Sequence, residues 1–168
     1  RRVRGKSDEV SIMRRAIAYH RQPDTAKARA EIDKLIALRP NDGYYHELRA
    51  QILLESRAFS AAVEAYRQAA RLRPREPLIA AGLGRALLAV DTQSSNREAL
   101  NVLSRARNRD PSDARMLRDL ALAHARSNQP GLASVATAER YALTGRFEDA
   151  KLHAERAEGL LARGSQGW

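Results

Sequence analysis

Cysteine is absent from all 168 residues. That excludes a disulfide framework, a thiolate zinc site, an iron–sulfur cluster and a cysteine nucleophile. It fits a reducing or an oxidising compartment equally. Aromatic residues are scarce, at 5%. No apolar run approaches the roughly eighteen residues of a membrane span. The opening Arg1-Arg2-Val3-Arg4-Gly5-Lys6 is basic, but no apolar stretch follows it, so it does not read as a signal peptide. A chain opening on Arg rather than Met reads as a fragment or a processed form. Period-two alternation is missing throughout, which argues against strands.

Charge is abundant. Lysine and arginine total 30 against 20 acids, for a net +10, and Arg outnumbers Lys 26 to 4. A basic chain suggests phosphate, because cations release its counterions. The distribution argues otherwise. Arg1, Arg2, Arg4 and Lys6 sit together in residues 1–7, which read as a tail or linker. Arg71, Arg73 and Arg75 flank one turn and Arg105, Arg107 and Arg109 another, where cations oppose the negative end of a helix dipole. No RNA-binding motif of interleaved aromatic and basic residues is present.

The chain repeats itself. Arg39-Pro40 and Arg73-Pro74 lie 34 residues apart, and Asp110-Pro111 follows 37 residues after Pro74. The three extra residues read as a lengthened turn in 91–97. Each unit reads as two amphipathic helices, with apolar residues three and four apart. Small residues recur at Ala28, Ala62 and Ala99 in second helices and at Ala50, Gly84 and Ala121 in first helices, where two helices approach closely. Proline follows each second helix because it cannot continue it.

This pattern resembles the tetratricopeptide repeat (TPR) over residues 8–162. The resemblance implies an all-α fold, a right-handed superhelix or α-solenoid of about nine helices in four to five helix-turn-helix repeats. The repeats are 9–42, 43–76, 77–113, 114–130 and 131–162, the last two irregular and sharing a helix; 163–168 is a tail. Departures occur at the fourth position, which holds Ile12, His46, Ala80 and Leu117 instead of a large aromatic. Another is Arg57, which stands where the inter-helix turn usually has Gly.

Catalytic chemistry is not evident. His46-Glu47-Leu48-Arg49-Ala50 begins like a zinc HExxH, but Ala50 takes the second ligand's place. Gly82-Leu83-Gly84 has no strand before it to make a phosphate loop. Asp33, Glu47, Asp119 and Glu148 read as scattered, unpaired carboxylates. The chain reads as non-enzymatic, with no catalytic, cofactor or metal residue.

In such a solenoid the first helices line the concave side. The groove candidates are Met13, Ile17 and His20, then Tyr44, Glu47, Gln51 and Leu54, then Arg85 and Leu88, and last Arg115, Arg118 and Leu122. The surface reads as apolar and acidic toward the N-terminal end and basic toward the other. The arginines could take carboxylates in bidentate fashion. The carboxylate clamp of some chaperone-binding members needs Lys and Asn where this chain has Met13, Ile17, Leu48, Leu78 and Gly82. A chaperone adaptor is therefore not expected.

Longer strings carry a second resemblance. RRAIAYHRQPDTAKARAEIDKLIALRP, YYHELRAQILLESRAFSAAVEAYRQAARLRP, PLIAAGLGRALLA and AERYALTGRFEDAKLHAERAEGLLARGSQGW look like the C-terminal repeat region of BepA-type periplasmic zinc metallopeptidases of alphaproteobacteria. That resemblance implies an HExxH protease domain with its zinc upstream of residue 1, and a periplasmic location. It implies partners among protease substrates or outer-membrane assembly factors. Two alternatives stay open: a stand-alone repeat adaptor or scaffold, cytoplasmic in that case, and a basic nucleic-acid-binding solenoid.

Overall fold

A computed structural model describes residues 8–21 and 24–162; both tails, 1–7 and 163–168, lie outside the described residues. Within them are nine helices and no strand. They fall into two compact units that divide inside the fifth helix, between Ala86 and Leu87.

The first unit holds α1 (Glu9–Arg21), α2 (Thr25–Leu38), α3 (Gly43–Glu55), α4 (Phe59–Leu72) and the start of α5 (Pro77–Val90). Aspartates cap α2 and α3. The Asp24 carboxylate accepts the Lys27 N–H and that of Asp42 accepts the Tyr44 N–H, satisfying donors that a helix start leaves orphaned. α2 stops just before Pro40, with the Arg39 N–H donated to the Leu35 carbonyl at 2.9 Å. One core cluster joins three helices: Ile12 of α1, Ala28, Ile32 and Leu35 of α2, and Tyr45 and Ile52 of α3. Ile32, Leu35 and Ile52 are fully buried, and each such side chain contributes about 1.5–3 kcal/mol. Ala28 and Ala62 are buried completely, as their recurrence at the helix crossings predicts.

The second unit holds the rest of α5, α6 (Gln93–Arg109), α7 (Ala114–Arg126), α8 (Pro130–Leu143) and α9 (Phe147–Ala162). The lengthened turn expected at 91–97 is not there. Thr92 and Ser95 form a reciprocal capping box, which starts α6 at Gln93. The three extra residues therefore lengthen a helix of 17 residues.

Three of the turns between helices share one geometry. The N–H of Ala58 reaches back five residues to the Leu53 carbonyl, as does Gln129 to His124 and Arg146 to Tyr141, all at 2.9 Å. The residue before each donor is left-handed: Arg57 (φ 62), Asn128 (φ 56) and Gly145 (φ 74). This is the helix ending that a left-handed residue closes. It follows α3, α7 and also α8, so α8 opens a hairpin with α9 while closing one with α7.

Candidate functional site

The first unit presents one continuous row on α3. Tyr44, Glu47, Gln51 and Leu54 recur at offsets of three and four, so they share a helix face. Tyr44 is 46% exposed and the other three are half-buried. The Arg73 guanidinium lies 4.4 Å from the centre of the Tyr44 ring, and the Tyr44 hydroxyl points to the Glu76 carboxylate at 3.5 Å. Gln51 donates to Glu47 at 3.2 Å. Burial pushes the Glu47 carboxyl above the usual carboxylate range, the Gln51 bond opposes the rise, and Glu76 adds to it.

α1 joins this row through His20, whose Nε2 lies 3.1 Å from a Glu55 carboxylate oxygen of α3. Its Nδ1 is buried without a partner. Ile17, one turn earlier, is 37% exposed. Met13 is half-buried and packs against the core cluster. Arg85 is half-buried.

The second unit carries a separate row on α7. Arg115, Arg118 and Leu122 are exposed at i, i+3 and i+7. Arg118 reaches Asp119 at 3.2 Å. Leu88 does not belong to a surface: it is 5% exposed, and Arg126 of α7 donates to its carbonyl at 2.7 Å. The last turn of α5 is covered by the end of α7, which register alone does not show.

Several carboxylates that read as unpaired have partners. Arg49 of α3 lies 3.0 Å from Asp33 of α2, and Asp119 has Arg118. The arginines flanking the turns also do more than oppose a dipole: Arg73 stacks on Tyr44, and Arg107 holds Glu139 of α8, with its Nε donating at 2.8 Å. Arg73 and Glu76, which frame Tyr44, were not among the sequence candidates. Arg73 was read only as repeat punctuation and as a cation at a helix end.

The HExxH-like string has a structural explanation. His46 is 9% exposed, with Nε2 2.7 Å from the Pro40 carbonyl, so it fastens α3 to the preceding turn. Gly82 of the GxG lies in α5 under the Tyr66 ring. Among the described residues, no three His, Asp or Glu side chains could hold a metal ion. No described helix is long and apolar enough to cross a membrane.

A family model described as Tetratricopeptide repeat matches residues 47–90, from α3 to the end of α5. Solved structures extend the likeness over most of the chain. MamA 41-end from Desulfovibrio magneticus RS-1 is 19% identical with a TM-score of 0.74, covering 83% of this chain and 77% of that one. A structure titled MamA RS-1 ArsTM double mutant is 18% identical with a TM-score of 0.74, covering 84% and 79%. One titled Crystal structure of MamA protein is 16% identical with a TM-score of 0.66, covering 93% of both. Among curated protein sequences none matches. The fold is the all-α tetratricopeptide-repeat fold.

Proposed function

We propose that this chain is a non-catalytic protein-interaction module that binds polypeptide on the exposed faces of its first helices. The observation that carries the reading is the α3 row: an exposed aromatic beside a carboxyl, Glu47, held against burial. A half-buried carboxyl with a raised affinity for protons is also primed for a cation, because a charged partner offsets its desolvation. The ligand this row suits is an extended segment with an apolar anchor for Tyr44 and a Lys or Arg for Glu47.

The placement of the module in a longer protein rests on the sequence strings alone. On that basis the chain is the substrate- or partner-engaging region of a periplasmic zinc metallopeptidase in envelope protein quality control, with zinc and general base upstream of Arg1. The adaptor or scaffold reading draws on the fold shared with the MamA structures. Reading the gene upstream of Arg1 separates them: a signal peptide followed by an HExxH helix supports the protease, and a different upstream domain removes it. In either case residues 1–168 hydrolyse nothing. Zinc-dependent casein cleavage by the purified chain would overturn that.

The binding surface is tested by selecting peptides from a displayed random library on the immobilised chain. Selected peptides should pair an apolar residue with a basic one. Tyr44→Ala and Glu47→Gln together should weaken them by about tenfold or more, a hot-spot-sized loss. Undiminished affinity in the double variant would sink the surface assignment.

A further inference from the structure

A second surface stands apart from these rows. The second unit has an open cleft of about 530 Å³ between α8 and α9, walled by Val135 and Ala138 on one side and Ala154, Ala157 and Leu161 on the other. Glu139 and Glu158 form its rims. Its meaning comes from the repeat register. Moving the first repeat along by 122 residues sets Met13 on Val135, Ala16 on Ala138, Ile32 on Ala154, Leu35 on Ala157 and Ile36 on Glu158. In the first repeat that surface is covered. Ile32 and Leu35 are fully buried in a cluster with Tyr45 and Ile52 of α3, and Met13, Ile36 and Leu48 pack against it. The covering helix thus presents Tyr45, Leu48 and Ile52, at i, i+3 and i+7. In the last repeat the matching Ala154 is exposed, and no helix among the described residues lies over it.

We infer that the α8–α9 cleft is a docking site for a basic amphipathic helix of a partner protein, seated as α3 is seated on α1 and α2. Two features define the occupant. The walls are Ala138, Ala154 and Ala157, where the first repeat has Ala16, Ile32 and Leu35, so the incoming helix supplies the bulk: aromatic or branched residues at i, i+3 and i+7. The rim supplies the sign. Glu158 takes the place of Ile36, and α9 carries Glu148, Asp149, Glu155 and Glu158 against Lys151 and Arg156. This helix is acidic in a chain of net charge +10. Glu139 is already held by Arg107, which leaves exposed Glu158 to meet the partner's Lys or Arg. Phe147, seven residues before Ala154, extends the same face of α9 and is 71% exposed.

The site is independent of the α3 row, and one experiment keeps the two apart. The probe is a labelled synthetic helix-forming peptide with Tyr, Leu and Ile at i, i+3 and i+7 and Lys or Arg along both edges. Its anisotropy is titrated with the full chain. Binding is expected, weakened about tenfold or more by Ala154→Arg and by Glu158→Arg and unchanged by Tyr44→Ala. Both substituted residues are exposed, and circular dichroism checks that the variants fold. A probe edged with Glu should bind at least about tenfold more weakly. Absence of binding, or binding that ignores Ala154→Arg, overturns the inference and leaves the α3 row untouched. It is also overturned if the free chain sediments as an oligomer that Ala154→Arg makes monomeric, because a second copy then fills the cleft.

Discussion

The ring of Tyr66 on α4 fills the space that a Cβ on Gly82 of α5 would need: the built position lies 2.8 Å from the Tyr66 hydroxyl oxygen and 2.6 Å from Cζ. The ring is 2% exposed and cannot swing into solvent without opening a core void. Gly82 is therefore a packing device, and its helix cost of about 1 kcal/mol relative to Ala is offset by the aromatic it admits. Gly82→Ala should destabilise the chain by about 1–3 kcal/mol, the usual cost of overpacking. Gly159, on α9, has nothing within 4 Å of its added Cβ. The same substitution there should stabilise by about 0.5–1 kcal/mol. Urea denaturation of the two variants checks the opposite signs, and equal signs would show that helix propensity, not Tyr66, governs Gly82.

The left-handed turn positions make a second pair. Gly145 (φ +74) has open space around its added Cβ, so Gly145→Ala isolates the backbone cost, about 1–2 kcal/mol for an L-residue in that region. Arg57 already bears that cost at φ 62. Arg57→Gly should raise the midpoint of thermal unfolding, with a gain of up to about 1 kcal/mol after the added freedom of the unfolded chain is subtracted. A lower midpoint would mean that the Arg57 contact with the Phe59 ring, at 6.0 Å, outweighs the strain.

What the sequence makes legible follows from the range of each signal. The Arg-Pro spacing and the i, i+3, i+4 pattern are local, and they place nearly every helix. The hairpin turn was legible at Arg57, which stands where that turn usually has Gly. Long-range reach was not. The small residue read at Gly84 is buried, but the contact that demands a glycine is two residues earlier, because Tyr66 lies 16 residues upstream of Gly82 and its length decides where it lands. The pairing of Asp33 with Arg49 and the covering of Leu88 by α7 likewise need the packed helices. The capping box that starts α6 was open to inspection in Thr92 and Ser95, because such residues favour helix starts as well as turns, and 91–97 reads as a turn instead.

Glu47 gives a pH prediction. Its folded carboxyl is raised above the usual carboxylate range, chiefly by burial, so the folded state holds its proton more tightly than the unfolded one. The stabilising contribution of the neutral form is complete below the ordinary carboxylate value of 4.5. It is lost as pH rises above that value into the raised range, because the unfolded chain ionises more readily. At neutral pH the ionised carboxylate is a burden, and Glu47→Gln, which keeps the Gln51 neighbour, should stabilise the free chain while weakening basic peptides. Unfolding midpoints at pH 4 and pH 7 test it. The variant's advantage should appear at the higher pH only, and an advantage that grows toward pH 4 would reverse the assignment.

The last prediction concerns salt, and it separates polypeptide from nucleic acid. Several of the arginines behind the net charge of +10 are committed to carboxylates: Arg15 to Glu31, Arg39 to Glu9, Arg49 to Asp33, Arg107 to Glu139 and Arg126 to Asp91. Turning them toward phosphate means breaking contacts that hold one helix to another. A complex built on about 6–10 phosphate contacts loses roughly 10³–10⁵ in affinity between about 50 and 200 mM salt. A peptide anchored on Tyr44 with one cation near Glu47 should lose less than about tenfold over that range. Any duplex DNA binding by the whole chain should depend on Arg1, Arg2, Arg4 and Lys6 and vanish when residues 1–7 are removed, with peptide binding unchanged. Tight DNA binding that survives both the truncation and 200 mM salt would replace the peptide surface with a phosphate surface on the helices themselves.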